Sequence, residues 1–394
     1  MLQSGETSFC AIIEGTGGVV IEWNDFNTAC WNNDGDWYDG SPLSAFEVLV
    51  PGTIDGERAF DFCLVEAYPW TEPADTDTGP VDTDVNTGCN ATTTPVARHG
   101  QLRIEGSQLV NQCGRPVQFA SMSMYDWSQQ GRQFYNADAV RNLAGTGDGQ
   151  MKCTTLRIPL LAGNYPDDYD RVARVMDACI DNGIYCIPNW HVIGNANVDN
   201  ARAFYVRLAQ DYGDTPNIIY EPWNEPTDQS WSTIKAYMEN IIDAVRPIDP
   251  DGIFLAGTRQ WCQRPDEACD NPIDDPHVGY VFHFYADSHE LADFRGHIDS
   301  CLDAGRMVWG TEYGGVSADG DGTFNVDEVN RWWDYMDDNL ISSNNWAVET
   351  NSETSSVFTT NASATGPWRA DEITYSGQNV FAYIAEHYPI TMSQ

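Results

Sequence analysis

Short apolar runs alternate with amphipathic segments across residues 98–394. The apolar runs span 118–123, 154–160, 183–191, 217–226, 252–258, 280–286, 306–315 and 344–350. Segments with the 3.6-residue period of a helix lie between them, at 170–183, 201–213, 230–249 and 326–339. The runs are apolar throughout, as expected of parallel strands that are buried on both faces. Eight strand–helix units predict an α/β fold, a (β/α)8 TIM barrel.

A different pattern precedes the barrel. Residues 1–71 hold short alternating runs broken by Gly, Asp and Asn turns, which predicts a small all-β module, complete or partial. Residues 72–97 are rich in Thr, Asp, Pro and Gly, which predicts a flexible acidic linker. Residues 98–394 then form the predicted barrel domain, which begins with a hairpin at 100–118.

Polar and aromatic side chains concentrate at the C-terminal ends of the predicted strands. They are Arg157, His191, Asn224, Glu225, His283, Tyr285, Glu312 and Trp346. In a (β/α)8 barrel these ends form one rim that carries the working residues. Strand alternation predicts two sets that each share a face: Glu221, Trp223 and Glu225, and Val308, Gly310 and Glu312. We therefore expect Glu225 and Glu312 to face each other across the barrel mouth.

Two facing carboxyl groups are what glycoside hydrolysis requires. One protonates the leaving oxygen and the other attacks the sugar carbon, and a separation of about 5–5.5 Å corresponds to a retaining mechanism. Glu221 lies one repeat deeper in its strand than Glu225, so we expect it to be structural. His191 and His283 have no third ligand at metal spacing, so we expect no metal. The chain also lacks a Gly-rich phosphate loop, which argues against a nucleotide enzyme.

Seven motifs, in order along the chain, resemble glycoside hydrolase family 5, and most closely its bacterial endo-β-1,4-glucanases. They are "GQLRIEGSQLVNQCGRPVQFASMS", "LRIP", "NWH", "GDTPNIIYEPWNEP", "HFYA", "TEYG" and "NNWAVETNSETSS". The resemblance covers about 98–390. It implies a catalytic barrel that cuts internal β-1,4-glucosidic bonds of cellulose-type polysaccharide by double displacement, with no cofactor.

The resemblance also implies a role for each residue that matches a motif. Glu225 is expected to be the general acid/base and Glu312 the nucleophile. Arg157 is expected to keep Glu312 ionised, because a nearby cation lowers the pKa of a carboxyl group. Tyr285 is expected to hydrogen-bond Glu312, and His283 to support the acid/base.

Further matching residues are expected to bind the sugar. Asn224 is expected to bond the sugar 2-hydroxyl, and His191 to line the cleft and bond sugar hydroxyls. Trp346 is expected to be a stacking platform, with Asn351 and Glu353 at the border of the same subsite.

The chain departs from the family pattern at three positions. Tyr125 stands where these glucanases commonly have His, Asn189 where they often have Asp, and Asn351 where they have Lys. These changes concern sugar recognition, so they leave the exact substrate open. The alternatives are another β-glycan, such as mannan, xyloglucan or lichenan, and a non-catalytic carbohydrate-binding protein.

Two smaller questions stay open. Trp127 and Trp261 are either further sugar platforms or loop-packing residues. The module at 1–71 weakly resembles the closing half of the jelly rolls found beside polysaccharide-degrading enzymes. It is either a truncated carbohydrate-binding module or a structural β-domain.

The charge of the chain restricts its partners. There are 59 acidic residues against 20 basic ones in 394, a net charge of −39. Such a surface repels nucleic acid and anionic lipid, and no apolar stretch reaches the roughly 18 residues of a membrane span. We expect a monomer that binds polysaccharide, and a surface adapted to high salt, where repulsion is screened.

Eleven cysteines and no CxxC pattern indicate some disulfides and an oxidising, extracellular location, although no signal-peptide pattern opens the chain. Cys262 and Cys269 flank a polar loop and are candidates to close a short ring. Cys153 and Cys186, near strands, are expected to pack or to form a disulfide rather than to act as nucleophiles.

Overall fold

The structure is a computed structural model that describes residues 2–4, 7–9, 45–46 and 93–393. The chain divides into two units, Met1–Gly79 and Pro80–Gln394. In the first unit, β1 (Leu2–Ser4) pairs antiparallel with β2 (Thr7–Phe9) and with β3 (Ala45–Phe46). The rest of the predicted module at 1–71, and linker residues 72–92, lie outside the described residues, so this part of the domain division stays a prediction.

The second unit is described from residue 93, inside the predicted linker. Thr94 caps α1 (Pro95–His99) by accepting a hydrogen bond from the backbone N–H of Ala97 at 3.2 Å. The Val96 N–H donates to the carbonyl of Gly183 at 2.9 Å. The last residues of the predicted linker are therefore already held against the barrel.

The predicted hairpin forms, and it lies at the bottom of the barrel. Its strands β4 (Arg103–Glu105) and β5 (Gln108–Val110) pair antiparallel around Gly106, whose φ of +61° suits glycine. The apolar side chains of Leu102 and Leu109 belong to the same buried cluster as the barrel interior. The C-terminal ends of the barrel strands lie at the opposite end, which stays open.

Eight parallel strands form the predicted barrel, which confirms the fold class. They are β6 (Ala120–Met124), β7 (Thr155–Leu161), β8 (Tyr185–His191), β9 (Ile219–Tyr220), β10 (Ile253–Ala256), β11 (Val278–Tyr285), β12 (Val308–Gly314) and β13 (Ser343–Val348). Their order is β8-β7-β6-β13-β12-β11-β10-β9. Bridges from Cys186 to Ile218 and from Asn189 to Glu221 join the two ends, which brings the sheet round into a barrel.

Helices surround the strands. They are α2 (Gln129–Arg132), α3 (Ala137–Ala144), α4 (Tyr169–Asn182), α5 (Val198–Tyr212), α6 (Trp231–Val245), α7 (Arg259–Cys262), α8 (Pro265–Asp270), α9 (Leu291–Asp303), α10 (Val326–Asp338) and α11 (Tyr375–Ser393). Local sequence sets several ends. Gly183 ends α4 in the left-handed conformation, and Asn197 caps α5. No helix of the described chain is long and apolar enough to cross a membrane.

The core has two layers. One apolar cluster fills the lower barrel interior and includes Phe119, Ile187, Val281 and Trp309. A larger cluster fills the space between strands and helices. Arg157 and Glu312 come later in β7 and β12, nearer the upper end of the interior.

The predicted pairing of Cys262 with Cys269 is wrong. Cys269, on α8, is bonded to Cys301 on α9. Cys262 is a free, buried thiol that donates to the backbone carbonyl of Asn224 at 3.1 Å. Cys153 and Cys186 are also free and buried, which agrees with packing rather than pairing.

Candidate active site

A cavity of about 630 Å³ opens at the C-terminal ends of the strands. Nine of the eleven predicted site residues line it: Tyr125, His191, Asn224, Glu225, His283, Tyr285, Glu312, Trp346 and Glu353. Arg157 lies beneath its floor and is fully buried. Asn351 does not line it, because its side-chain oxygen accepts from the Glu353 N–H at 2.8 Å and from the Ser356 hydroxyl.

Two carboxyl groups meet in this cavity. Oxygens of Glu225 and Glu312 and a ring nitrogen of His283 all lie within 4.8 Å of one another. Retaining glycosidases hold their carboxyl groups about 5–5.5 Å apart and inverting ones about 6.5–9.5 Å apart. Oxygens this close favour the shorter, retaining spacing over the longer one.

Irregular backbone, rather than simple strand alternation, brings these residues inward. Between β11 and β12 the pairing steps from Val281–Trp309 to His283–Glu312, which leaves one extra residue in β12. This bulge turns both Thr311 and Glu312 into the barrel, while Val308 packs in the outer layer. The expectation that Val308 and Glu312 share a face is therefore wrong.

The same expectation fails after β9. Trp223 packs outward, with its ring centroid 4.6 Å from that of Tyr237 on α6. Asn224 and Glu225 both reach the cavity, because β9 ends at Tyr220 and the following backbone no longer alternates. Glu221 remains deep in the barrel and fully buried.

Glu312 is held by two donors. Arg157 Nη1 donates to one carboxylate oxygen at 2.8 Å, and the Tyr285 hydroxyl donates to the other at 2.8 Å. Arg157 and Glu312 form a buried ion pair, and hydrogen bonds to a charged partner are stronger than neutral ones. The arrangement suits an ionised nucleophile whose oxygens are fixed in direction.

Arg157 organises the floor of the site. Its guanidinium donates to Glu221 at 2.7 and 3.2 Å and also to the side-chain oxygen of Asn224. Burial alone would lower the pKa of Arg157, but Glu221 and Glu312 outweigh burial and raise it. One cation is thus shared by two carboxylates and orients an amide.

Removing this cation is expected to destabilise the fold. Arg157→Met leaves two buried carboxylates without their charge partner, which should lower the free energy of unfolding by about 3–5 kcal/mol. Chemical denaturation measures the change. Arg141→Met is the control, because its ion pair with Asp138 is exposed and should contribute less than about 1 kcal/mol. Equal losses in the two variants would contradict the structural account of Arg157.

Glu225 has the environment of a proton donor. Burial raises its pKa to about 7, with a further contribution from Glu221, while Arg157 opposes the rise. His283 Nδ1 lies 3.0 Å from its Oε1. Burial also lowers the pKa of His283 to about 4, so this imidazole is neutral near pH 7.

The raised pKa of Glu225 predicts a pH limit. The acid form is lost as the pH rises through about 7, so kcat/KM on an unactivated substrate should fall with a midpoint near that pH. Initial rates at low substrate concentration across the pH range measure the midpoint. A fall centred near 4.5, the ordinary value for Glu, would contradict this environment.

Glu225, His283 and Glu312 also have the spacing of a cation site. Their atoms are already used, however. His283 bonds Glu225 through Nδ1 and Thr311 through Nε2, and both oxygens of Glu312 accept protein donors. This donor set fits an acid, its orienting imidazole and a nucleophile better than three metal ligands.

His191 lines the cavity, as predicted, and both of its ring nitrogens face protein groups. The Trp127 indole N–H donates to its Nε2 at 3.0 Å, and Nδ1 lies 2.8 Å from the Asn189 side-chain oxygen. Its ring stacks on Trp346 with centroids 5.4 Å apart and planes at 8°. These contacts hold the imidazole in the cavity wall, and its bond to sugar hydroxyls stays a prediction.

Aromatic side chains extend the cavity beyond the carboxyl pair. Trp127 and Trp261 both line it and are 50% and 47% exposed. Trp261 has a φ of +54°, an unfavourable conformation for a non-glycine residue that places it at the rim. The Asn224 Nδ2 has no protein hydrogen-bond partner in the described chain, so it can still donate to a ligand.

Other cavity residues were not predicted. Gln263, His289, Asp319 and Gly320 reach it from loops after β10, β11 and β12. Thr311 bonds both Glu221 and His283 from the bulge in β12. The loop residues lie outside the apolar runs. Strand alternation therefore does not predict which way their side chains point.

Comparison with known proteins agrees with this geometry. The model of the cellulase family, glycosyl hydrolase family 5, matches residues 110–352. Endoglucanase A of Evansella cellulosilytica is 37% identical over 283 residues, 69% of this chain and 57% of that protein. The chain thus spans little more than half the length of that relative.

Two solved structures show the same fold. A Thermobifida fusca endoglucanase catalytic domain in complex with cellotetraose has a TM-score of 0.70 and 28% identity, covering 74% of this chain and 99% of that one. A thermostable, highly halotolerant family 5 cellulase from an Icelandic hot spring isolate has a TM-score of 0.70 and 29% identity, covering 74% and 96%.

Proposed function

The chain belongs to glycosyl hydrolase family 5, as its motifs predicted, and from this premise we propose that it is a retaining endo-β-1,4-glucanase acting on cellulose-type polysaccharide. The observation that carries the proposal is the pair Glu225 and Glu312, with oxygens within 4.8 Å of each other in an open cavity. The endoglucanase relative and the structure with bound cellotetraose support the choice of glycan.

The first step forms a covalent intermediate. Glu225 gives its proton to the glycosidic oxygen as a carboxylate oxygen of Glu312 attacks the anomeric carbon. The bond from that carbon to the leaving oxygen breaks, and the shortened chain leaves with a new hydroxyl. Arg157 and Tyr285 hold Glu312 in the attacking direction. Asn224, whose Nδ2 is available, bonds the sugar 2-hydroxyl, a contact that strengthens in the transition state.

The second step hydrolyses that intermediate. Glu225, now a carboxylate, takes a proton from water as the water oxygen attacks the anomeric carbon and Glu312 leaves. Two inversions restore the original configuration. His283 orients Glu225 in both steps because it lies against the carboxyl oxygen at 3.0 Å.

The open cavity supports attack within a chain. Trp127 and Trp261 present exposed faces, and Trp346 lies in the same wall. Aromatic faces of this kind stack on sugar rings. Such platforms along an open cavity suit several consecutive glucose units better than a single terminal sugar, with Glu353 at the border of one subsite.

Product analysis tests the proposal. Cellohexaose hydrolysis followed by NMR should show the β-anomer first, and carboxymethylcellulose should be cut faster than mannan, xyloglucan or lichenan. The α-anomer first would contradict retention. Faster cleavage of another glycan would move the proposal to that substrate, and binding without turnover would indicate a non-catalytic carbohydrate-binding protein.

We also propose that the protein is secreted, acts as a monomer and works in high salt. The Cys269–Cys301 bond supports an oxidising compartment. The net charge of −39 supports salt adaptation, as does likeness to a halotolerant cellulase. Activity should persist in molar salt, and stability should fall in dilute buffer as repulsion between acids is unscreened. Loss of activity in concentrated salt would contradict salt adaptation.

A further inference from the structure

A continuous hydrogen-bonded chain connects Glu225 to the floor of the site through a hydroxyl. The chain starts at Glu225 Oε1, 3.0 Å from His283 Nδ1. His283 Nε2 lies 2.9 Å from the Thr311 hydroxyl. That hydroxyl lies 2.6 Å from Glu221 Oε1. Thr311 is fully buried, so water does not compete for these contacts.

The chemistry of each group fixes the direction of the bonds. Both oxygens of Glu221 accept hydrogen bonds from the Arg157 guanidinium, so this carboxylate meets Thr311 as an acceptor. Thr311 therefore donates its single proton to Glu221. Its oxygen can then only accept from His283, which places the imidazole proton on Nε2.

The tautomer of His283 also fixes the direction of its bond to Glu225. A neutral imidazole with its proton on Nε2 offers a lone pair at Nδ1. At 3.0 Å this lone pair needs a donor, and the carboxyl O–H of Glu225 is the group that faces it. With Glu225 ionised, two acceptors would face each other.

We propose that Thr311 is a positioning residue of the reaction, which fixes His283 in its Nε2–H tautomer and so keeps a proton on Glu225 in the free enzyme. When substrate binds, this O–H turns from Nδ1 to the glycosidic oxygen and is then transferred. The inference rests on the proposed function. In the second step the same contact makes the Glu225 carboxylate more basic, because taking a proton from water removes the repulsion with Nδ1.

The surroundings of Glu225 agree with this assignment. The titratable and charged groups that face it are Arg157, Glu221, Cys262, His283, Tyr285 and Glu312. None but His283 bonds its carboxyl group within the described chain. The imidazole is thus the contact through which the protonation of Glu225 can be adjusted, and the bulge in β12 supplies the hydroxyl that fixes it.

Thr311→Val and Thr311→Ser test the inference. Valine keeps the shape and removes the hydroxyl, so His283 can carry its proton on Nδ1 and donate to the Glu225 carboxylate, which favours ionisation. The alkaline limb of kcat/KM on cellohexaose should move to lower pH by about one unit or more in the Val variant. The Ser variant should keep the wild-type limb.

A second substrate separates this effect from general damage. Dinitrophenyl β-cellobioside has a leaving group that needs no proton, so Thr311→Val should lose much less activity on it than on cellohexaose. The inference would be overturned if Thr311→Val lost the same activity on both substrates and the alkaline limb of its kcat/KM profile did not move. A Ser variant shifted as far as the Val variant would also overturn it. Wild-type protein without activity on either substrate would instead count against the proposed function.

A measurement on the wild-type protein does not depend on the folding of any variant. Nitrogen-15 NMR distinguishes the two imidazole tautomers by the shifts of Nδ1 and Nε2. His283 should show the proton on Nε2 near neutral pH. A proton on Nδ1 would overturn the inference even if the protein is fully active.

Discussion

Replacing Glu312 by Gln is expected to lower kcat/KM for cellohexaose by at least about 10⁴-fold. The amide has nearly the same size but is a far poorer nucleophile, and it brings N–H donors where Arg157 and Tyr285 already donate. Both the attack and the charge balance of the site are lost. Chromatographic assay of cello-oligosaccharide products measures the rate.

Glu328→Gln is the matched control. Glu328 is also a buried carboxylate, 5% exposed, and it accepts from the Leu291 N–H at 2.6 Å on the outer side of the barrel. The same chemical change there should alter kcat/KM by no more than about threefold, because it lies outside the cavity. Similar activity in the two variants would contradict the assignment of Glu312.

Replacing Glu225 by Ala is expected to have a large effect that depends on the substrate. Without its acid, kcat/KM for cellohexaose should fall by about 10²–10⁴-fold. The first step on dinitrophenyl β-cellobioside should be much less affected, because dinitrophenolate leaves without a proton. Comparing the two substrates in one variant therefore isolates proton transfer from binding and folding.

The second step gives an independent test of Glu225. Azide needs no general base, so it should restore turnover of the aryl cellobioside by Glu225→Ala and give a β-glycosyl azide. An α-azide would mean that this carboxylate is the nucleophile, and equal loss on both substrates without azide would argue against a role in proton transfer.

The positions of the carboxyl groups could be predicted because two strong regularities coincide. Buried parallel strands read as apolar runs, and parallel strands bring their C-terminal ends to one rim. Glu225 and Glu312 each follow such a run. Their meeting at the rim depends on topology more than on the exact direction of any side chain, so it was predictable even though the assigned strand faces were not.

The directions of individual side chains could not be predicted, because they depend on places where the strands stop alternating regularly. The extra residue in β12 turns consecutive residues Thr311 and Glu312 to the same side, against strand alternation. Trp223 turns outward once β9 has ended. Pro222 marks the break after β9 but not the direction in which Trp223 turns, and no residue type marks the bulge in β12. Alternation therefore gave wrong faces for Val308 and Trp223.

Contacts between segments that are distant along the chain could not be predicted from the sequence either. Cys269 pairs with Cys301 because α8 and α9 lie side by side, whereas the sequence offers Cys262 at a shorter separation. His191 gains Trp127 as a donor from the loop after β6. Such pairings follow from packing in three dimensions, which spacing along the chain does not contain.

The central claim, that Glu312 attacks the sugar while Glu225 supplies the proton, is tested most directly by trapping the covalent intermediate. A 2-deoxy-2-fluoro-β-cellobioside with an activated leaving group slows hydrolysis of the intermediate, so the glycosyl-enzyme accumulates. Mass spectrometry of the digested protein should find one added cellobiosyl group, on the peptide that contains Glu312. A label on Glu225, or turnover to an inverted product with no label, would contradict the account.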